Sequence, residues 1–142
     1  MSIAALITWV ITAGIGSFML ARWLSHGGLR AGGAATHFPP ARVFSHFVLA
    51  AAGLIVWIVY LVIDAALLAW IAFADLVLAA LLGGVLVARW TKDGRTRSAG
   101  ADASAVDLAE QHIPRAPVVL HGVFAVSTLM LVLFSALGIG EN

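Results

Sequence analysis

Four long apolar stretches alternate with short polar segments along the chain. They run over roughly residues 3–24, 41–63, 65–90 and 116–138. Each has the roughly 20 residues that a helix needs to cross the hydrocarbon core of a bilayer. Lipid offers no partner to an unpaired backbone group, so segments of this kind must be helical. The pattern predicts an all-α integral membrane protein, a single domain over residues 1–142 with four transmembrane helices.

The positive charges are confined to two of the three connections between these helices. All eight lysines and arginines lie in or beside the polar segments 25–40 and 91–115, and none lies at the tight junction around Asp64 or at either terminus. Loops that carry such charges face the cytoplasm. The sequence therefore predicts a multi-pass protein of the plasma membrane with both termini on the non-cytoplasmic side. Within the second loop, Ser104 to Asp107 has the pattern of a cap for a short interfacial helix.

The amino-acid composition excludes several classes of protein and of functional site. Hydrophobic residues make up 62% of the chain and charged residues 11%, which excludes a soluble domain with a hydrated surface. A net charge of +1, with no basic patch interleaved with aromatics, argues against nucleic acid as a partner. Cysteine is absent, so disulfides and thiolate metal sites are excluded. The amino terminus lacks the basic region of a signal peptide and is expected to be retained. No catalytic motif is present, which predicts that the protein is not an enzyme.

The sequence contains an internal repeat: its two halves, over about residues 3–63 and 65–138, resemble each other. Ala21-Arg22-Trp23 closes the first apolar stretch, and Ala88-Arg89-Trp90 closes the third, 67 positions later. The same register aligns two ladders of small residues four apart, which let helices pack closely in lipid: Ala13, Ser17 and Ala21 with Ala80, Gly84 and Ala88. The segments 37–46 and 112–121 share His, Pro, Ala, Val and His at identical spacing. Two tandem two-helix repeats would be related by a pseudo-twofold axis along the membrane normal. We therefore expect an antiparallel four-helix bundle built from two hairpins.

The repeat places two histidines at equal depth. His46 and His121 each lie five residues into an apolar stretch, and they face each other if both point to the bundle axis. Such a pair can clamp the iron of haem b. It can also hold another metal, with His37 and His112 completing a set of four imidazoles. The alternative is structural: an interfacial histidine can bond a neighbouring carbonyl, and the nearby prolines suit the start of a helix. The structural interpretation, which involves no cofactor, is the leading one.

One acidic residue is predicted near the middle of the membrane. Asp75 lies ten residues into the third stretch, where a charged aspartate costs roughly 2.5–3.5 kcal/mol. It is therefore expected to be protonated or bonded to hydroxyl groups. The candidate hydroxyls are Thr8, Thr12, Ser127 and Thr128. Asp64 shares a helix face with Asp75 if the helix is continuous between them, and that face could line a proton path. The alternative is an acid that fixes helix packing or pairs with a partner protein.

The segment His121-Gly122-Val-Phe-Ala-Val-Ser-Thr-Leu, together with the preference for arginine over lysine, resembles small four-helix membrane proteins of actinobacteria. Some of these are accessory subunits of the respiratory supercomplex of cytochrome bcc and cytochrome aa3 oxidase. The resemblance implies a non-catalytic role beside a larger electron-transfer complex. No functional residue carries over from it.

Three hypotheses for function follow. The leading one is an accessory or structural subunit of a larger respiratory membrane complex, with the lipid bilayer and other membrane subunits as its partners. The second is a small b-type cytochrome with His46 and His121 as axial ligands. The third is an oligomeric proton or small-solute carrier that uses Asp75.

Overall fold

Helices make up nearly all of the chain that the structure describes. The computed structural model describes residues 1–29, 36–98 and 108–139, with the backbone alone for 96–98. Its elements are four long helices and one short 3₁₀ helix: α1 (Ser2–Ser25), α2 (Pro40–Ile63), α3 (Ala66–Ser98), the 3₁₀ helix Ala109–His112 and α4 (Arg115–Ala136). Each long helix has the length and hydropathy to cross a membrane. The prediction of an all-α protein with four helices long and apolar enough to cross a membrane is confirmed.

The helix boundaries follow local chemistry. Pro40 begins α2, where its missing N–H would have no helical partner in any case. Asp64 ends α2 in the left-handed conformation, with φ of 55°, which aspartate adopts more readily than most residues. Two residues separate α2 from α3, so the chain turns back at once. At its other end α3 continues past Trp90 to Ser98, into the segment predicted as loop, because a polar stretch without proline ends the apolar span but not the helix.

Helix α1 packs mainly on α4, and α2 packs mainly on α3. The hydroxyls of Ser2 and Ser135 lie 3.4 Å apart, and the Trp57 indole donates a hydrogen bond to the Ser2 carbonyl oxygen. These contacts bring the start of α1 to the ends of α2 and α4, and we call this the terminal end. At the opposite end, Arg22 of α1 donates to the carbonyl oxygen of His112, just before α4. We call this the loop end.

Buried hydrophobic residues form two separate clusters. The terminal-end cluster is centred on Trp9, Trp57 and Tyr60. The loop-end cluster contains Trp23, Phe38, Ala109 and Ile113. Large apolar side chains on the outer faces, such as Val62, are exposed, as suits helices that face lipid.

The short interfacial helix has a counterpart in the 3₁₀ helix Ala109–His112. The Leu108 N–H donates to Oε1 of Gln111 at its start. The predicted cap over residues 104–107 lies outside the described residues.

Candidate functional site: a histidine pair across the bundle

His46 of α2 and His121 of α4 face each other between the two helix pairs. Their ring centroids lie 6.1 Å apart, and the ring planes meet at 66°. Both side chains are half-buried. The two histidines singled out by the sequence as a possible axial pair are therefore adjacent in the fold.

Each imidazole is held by a backbone carbonyl of the helix on which it packs. Nδ1 of His46 lies 2.8 Å from the carbonyl oxygen of Ala79 in α3. Nδ1 of His121 lies 3.0 Å from the carbonyl oxygen of Thr12 in α1. A carbonyl oxygen can only accept, so Nδ1 donates in both bonds. This tautomer leaves the Nε2 lone pair of each ring available to a ligand.

A glycine lies against each ring. A Cβ added at Gly16 would lie 3.0 Å from Cε1 of His121, and one added at Gly83 would lie 3.0 Å from Cε1 of His46. Sequence reasoning missed both glycines, because it placed the small-residue ladders at neighbouring positions that include Gly84. A Cβ at Gly84 meets nothing within 4 Å. The signal that could have found them is their separation of 67 positions, the repeat offset.

The contacts of the two histidines are related by two fixed offsets in sequence. Thr12 and Ala79, like Gly16 and Gly83, are 67 positions apart, whereas His46 and His121 are 75 apart. The same offsets relate a second pair of contacts at the loop end: Arg22 donates to the carbonyl oxygen of His112, and Arg89 donates to that of His37. Each half of the chain thus supplies one ring and the helix that holds the other ring.

The histidine pair lies between the two hydrophobic clusters. Ala79 and Thr12, whose carbonyl oxygens accept hydrogen bonds from the two rings, are both buried. The large buried side chains, such as Trp9 and Trp23, belong to the clusters on either side. Small residues, namely Gly16, Gly83 and Ala79, therefore lie against the two rings.

The other predicted ligands lie at the loop end and do not join this pair. The His112 ring stacks on the ring of His26, with centroids 3.9 Å apart. Nδ1 of His37 lies 3.2 Å from Oδ2 of Asp93. In the described part of the chain, the residues that place three ligand atoms within reach of one ion are His37, Asp93 and Glu110. The described geometry therefore does not form the four-imidazole set.

Asp75 packs at the interface between α2 and α3. Its carboxyl group contacts the backbone of Gly53, and a Cβ at Gly53 would collide with it. Oδ2 of Asp75 is buried without a hydrogen-bond partner. Asp64 is exposed at the end of α2 and lies outside α3, so the continuous helix on which the shared face with Asp75 depended is not present.

The hydroxyls expected near Asp75 bond elsewhere. The Thr128 hydroxyl lies 3.0 Å from that of Thr8 and links α4 to α1. Thr12 donates to the carbonyl oxygen of Thr8, and Ser127 donates to that of Val123 within its own helix. The predicted bonds from these hydroxyls to Asp75 are not among the contacts of the described residues.

Comparisons with protein-family models, with curated proteins and with solved structures find no match to this chain.

Proposed function

We propose that the protein is a small b-type cytochrome of the membrane, in which His46 and His121 are the axial ligands of one haem. The observation that carries this proposal is the facing pair of imidazoles, each anchored through Nδ1 to a carbonyl of a neighbouring helix. Histidines that ligate metals usually donate their other ring N–H in this way, which fixes the tautomer and the orientation of the ring.

The separation of the rings fits two ligands on one metal. A metal–nitrogen bond of about 2.0–2.1 Å places the metal roughly 3 Å from the centroid of a bound imidazole. Two imidazoles on opposite sides of one metal then have centroids about 6 Å apart. The observed distance is 6.1 Å.

The surroundings favour a haem over a bare metal ion. A structural zinc ion takes four protein ligands, whereas a haem iron needs only axial ligands from the chain. The described residues place two ligands here, and no third ligand group lies within reach of both rings. The residues of α1 and α3 that lie against the two rings include Gly16, Gly83 and Ala79, and such small side chains favour the approach of a flat macrocycle.

The chain's own residues would bind and orient the group. Thr12 and Ala79 fix the two rings through their carbonyl oxygens, and a hydrophobic cluster lies on either side of the pair. A haem held in this way supplies a reversible one-electron couple.

The proposal includes the repeat and the orientation predicted from the sequence. The contacts at offsets of 67 and 75 support an antiparallel bundle of two related hairpins, in which each hairpin provides one ligand. The arginines gathered at the loop end support its placement on the cytoplasmic side. Membership of a larger respiratory complex, and a carrier function of Asp75, remain predictions from the sequence.

The test is the absorption spectrum of the purified protein after expression with ample haem. We expect a reduced α-band of b type, which is lost in His46→Ala and in His121→Ala and retained in His26→Ala. The helical circular dichroism of each variant shows that it remains folded. A colourless wild-type protein, or a spectrum unchanged by both axial variants, would contradict the proposal.

A further inference from the structure

A second group of ligands lies at the loop end, outside the histidine pair. It consists of His37 before α2, Asp93 in the part of α3 beyond Trp90, and Glu110 in the 3₁₀ helix, and one ligand atom from each lies within 4.8 Å of the others. We propose that these three residues bind a divalent transition-metal ion of the Zn²⁺ class. This site is independent of the haem proposal.

The environment of Glu110 is the first argument. Its side chain is fully buried. Oε2 accepts a hydrogen bond from the Thr36 hydroxyl at 2.6 Å, and Oε1 accepts one from the His37 N–H at 2.7 Å. Within the described residues, the ion pair found at the loop end joins His37 to Asp93. Buried carboxylates are normally paired with a cation or coordinate a metal, and here a bound metal would supply the cation.

The contact between His37 and Asp93 is the second argument. Nδ1 of His37 and Oδ2 of Asp93 lie 3.2 Å apart, but they are not aligned for a hydrogen bond, and Oδ2 is buried without a hydrogen-bond partner. Two ligands of a tetrahedral ion at about 2.0–2.2 Å lie roughly 3.3 Å from each other. The pair therefore has the spacing of two atoms that point to a common third atom.

The rest of the cluster needs only a small adjustment. The three ligand atoms all lie within 4.8 Å of one another. To reach the tetrahedral spacing of roughly 3.3 Å, the cluster closes by at most about 1.5 Å. His37 is the most exposed of the three, with 55% of its side chain accessible, and can make this movement.

Helix α3 organises the whole cluster. Arg89 donates to the carbonyl oxygen of His37, and the Trp90 indole donates to the carbonyl oxygen of Glu110. Both residues lie within one turn of Asp93, so a single stretch of α3 positions all three ligands.

The ligand chemistry defines the ion. Two carboxylates and a neutral imidazole balance a 2+ charge, and mixed nitrogen and oxygen ligands suit Zn²⁺ and Co²⁺ better than softer ions. Three protein ligands leave one position for water. A bound ion would join the segment before α2 and the 3₁₀ helix to α3.

The experiment titrates the full chain in detergent, stripped of metal with a chelator and prepared without haem, with Co²⁺ as a spectroscopic probe and Zn²⁺ as a competitor. We expect one Co²⁺ per chain, with visible d–d absorption that Zn²⁺ displaces. Asp93→Asn and His37→Ala should each weaken binding at least about tenfold. Asp93→Asn preserves the shape of a partly exposed side chain, so a folding defect is not expected from it.

Two control variants separate this site from other imidazoles. His26→Ala removes a loop-end histidine outside the cluster, and His46→Ala removes a ligand of the proposed haem. Both should bind Co²⁺ as the wild type does. Wild-type affinity in both Asp93→Asn and His37→Ala, or loss of Co²⁺ binding in His46→Ala, would overturn the proposal. A colourless protein that still binds Co²⁺ at the loop end would reject the haem and leave this site standing.

Discussion

His121 packs so closely on Gly16 that a methyl group on the glycine would lie 3.0 Å from Cε1 of the imidazole. Gly83 has the same relationship to His46. Contacts this short displace a ring unless the helices separate, so both glycines determine where the two Nε2 atoms lie. The orientation of the pair therefore depends on residues that make no hydrogen bond to it.

Substitution of either glycine by alanine should weaken haem binding. Overpacking of this kind costs about 1–3 kcal/mol, which corresponds to roughly a five- to 150-fold loss of affinity if it falls on the bound state. The measurement is the ratio of Soret to protein absorbance for Gly16→Ala and Gly83→Ala.

The matched controls are Gly14→Ala and Gly84→Ala, because a Cβ at either position meets nothing within 4 Å. All four substitutions change helix propensity equally. If the four variants retained the same haem content, the close contacts would have no role in binding.

Gly53→Ala should destabilise the packing of α2 on α3. The added Cβ would collide with the Asp75 carboxyl group and would lie 3.1 Å from Cζ2 of Trp9. We expect the free energy of unfolding in detergent to fall by about 1–3 kcal/mol. Asp75→Ala in the same chain should restore part of this loss because it removes the obstructing group, and Gly122→Ala, at an open position, is the control. Equal stability of Gly53→Ala and Gly122→Ala would show that α2 can move away freely.

The hydroxyl contact between Thr128 and Thr8 should contribute modestly to stability. Hydrogen bonds between membrane helices average about 0.6 kcal/mol in double-mutant cycles, so Thr128→Val should lower the unfolding free energy by a similar amount. Ser127→Ala is the comparison, because the Ser127 hydroxyl bonds only within its own helix. A loss in Ser127→Ala as large as that in Thr128→Val would assign the effect to side-chain polarity and not to the interhelical bond.

The absence of cysteine from the chain makes its orientation directly measurable. Asp64 and Leu29 are exposed at the terminal and loop ends, respectively. The distribution of arginine and lysine predicts that an impermeant maleimide labels Asp64→Cys in intact cells and labels Leu29→Cys only after permeabilisation. The reverse pattern would invert the topology.

The sequence predicted the helices well, because an apolar stretch of membrane-spanning length has only one stable form in lipid. It also predicted that His46 and His121 share a depth, since depth follows from position along a helix. It did not predict which face each helix presents to the neighbouring helices. For that reason Gly84 was grouped with the packing residues while its neighbour Gly83 makes the contact, and the hydroxyls assigned to Asp75 bond elsewhere.

Contacts between segments distant in sequence were the least predictable part. Asp93 and Glu110 fall in the segment expected to be loop, and neither was singled out. Their association with His37 depends on the extension of α3 by eight residues beyond Trp90, and on the 3₁₀ helix that returns the chain to α3. Neither the extension of α3 nor the 3₁₀ helix has a hydrophobic pattern from which it could be predicted.

The depth of the histidine pair limits the direction from which electrons could arrive. His46 lies about 9 Å along α2 from Pro40 but about 25 Å from Ile63. The other three histidines of the chain all lie at the loop end, so the longer stretch has no second histidine pair to act as a relay. A redox group held by this pair would exchange electrons with partners at the loop-end surface only. The protein would therefore not carry out electron transfer across the bilayer.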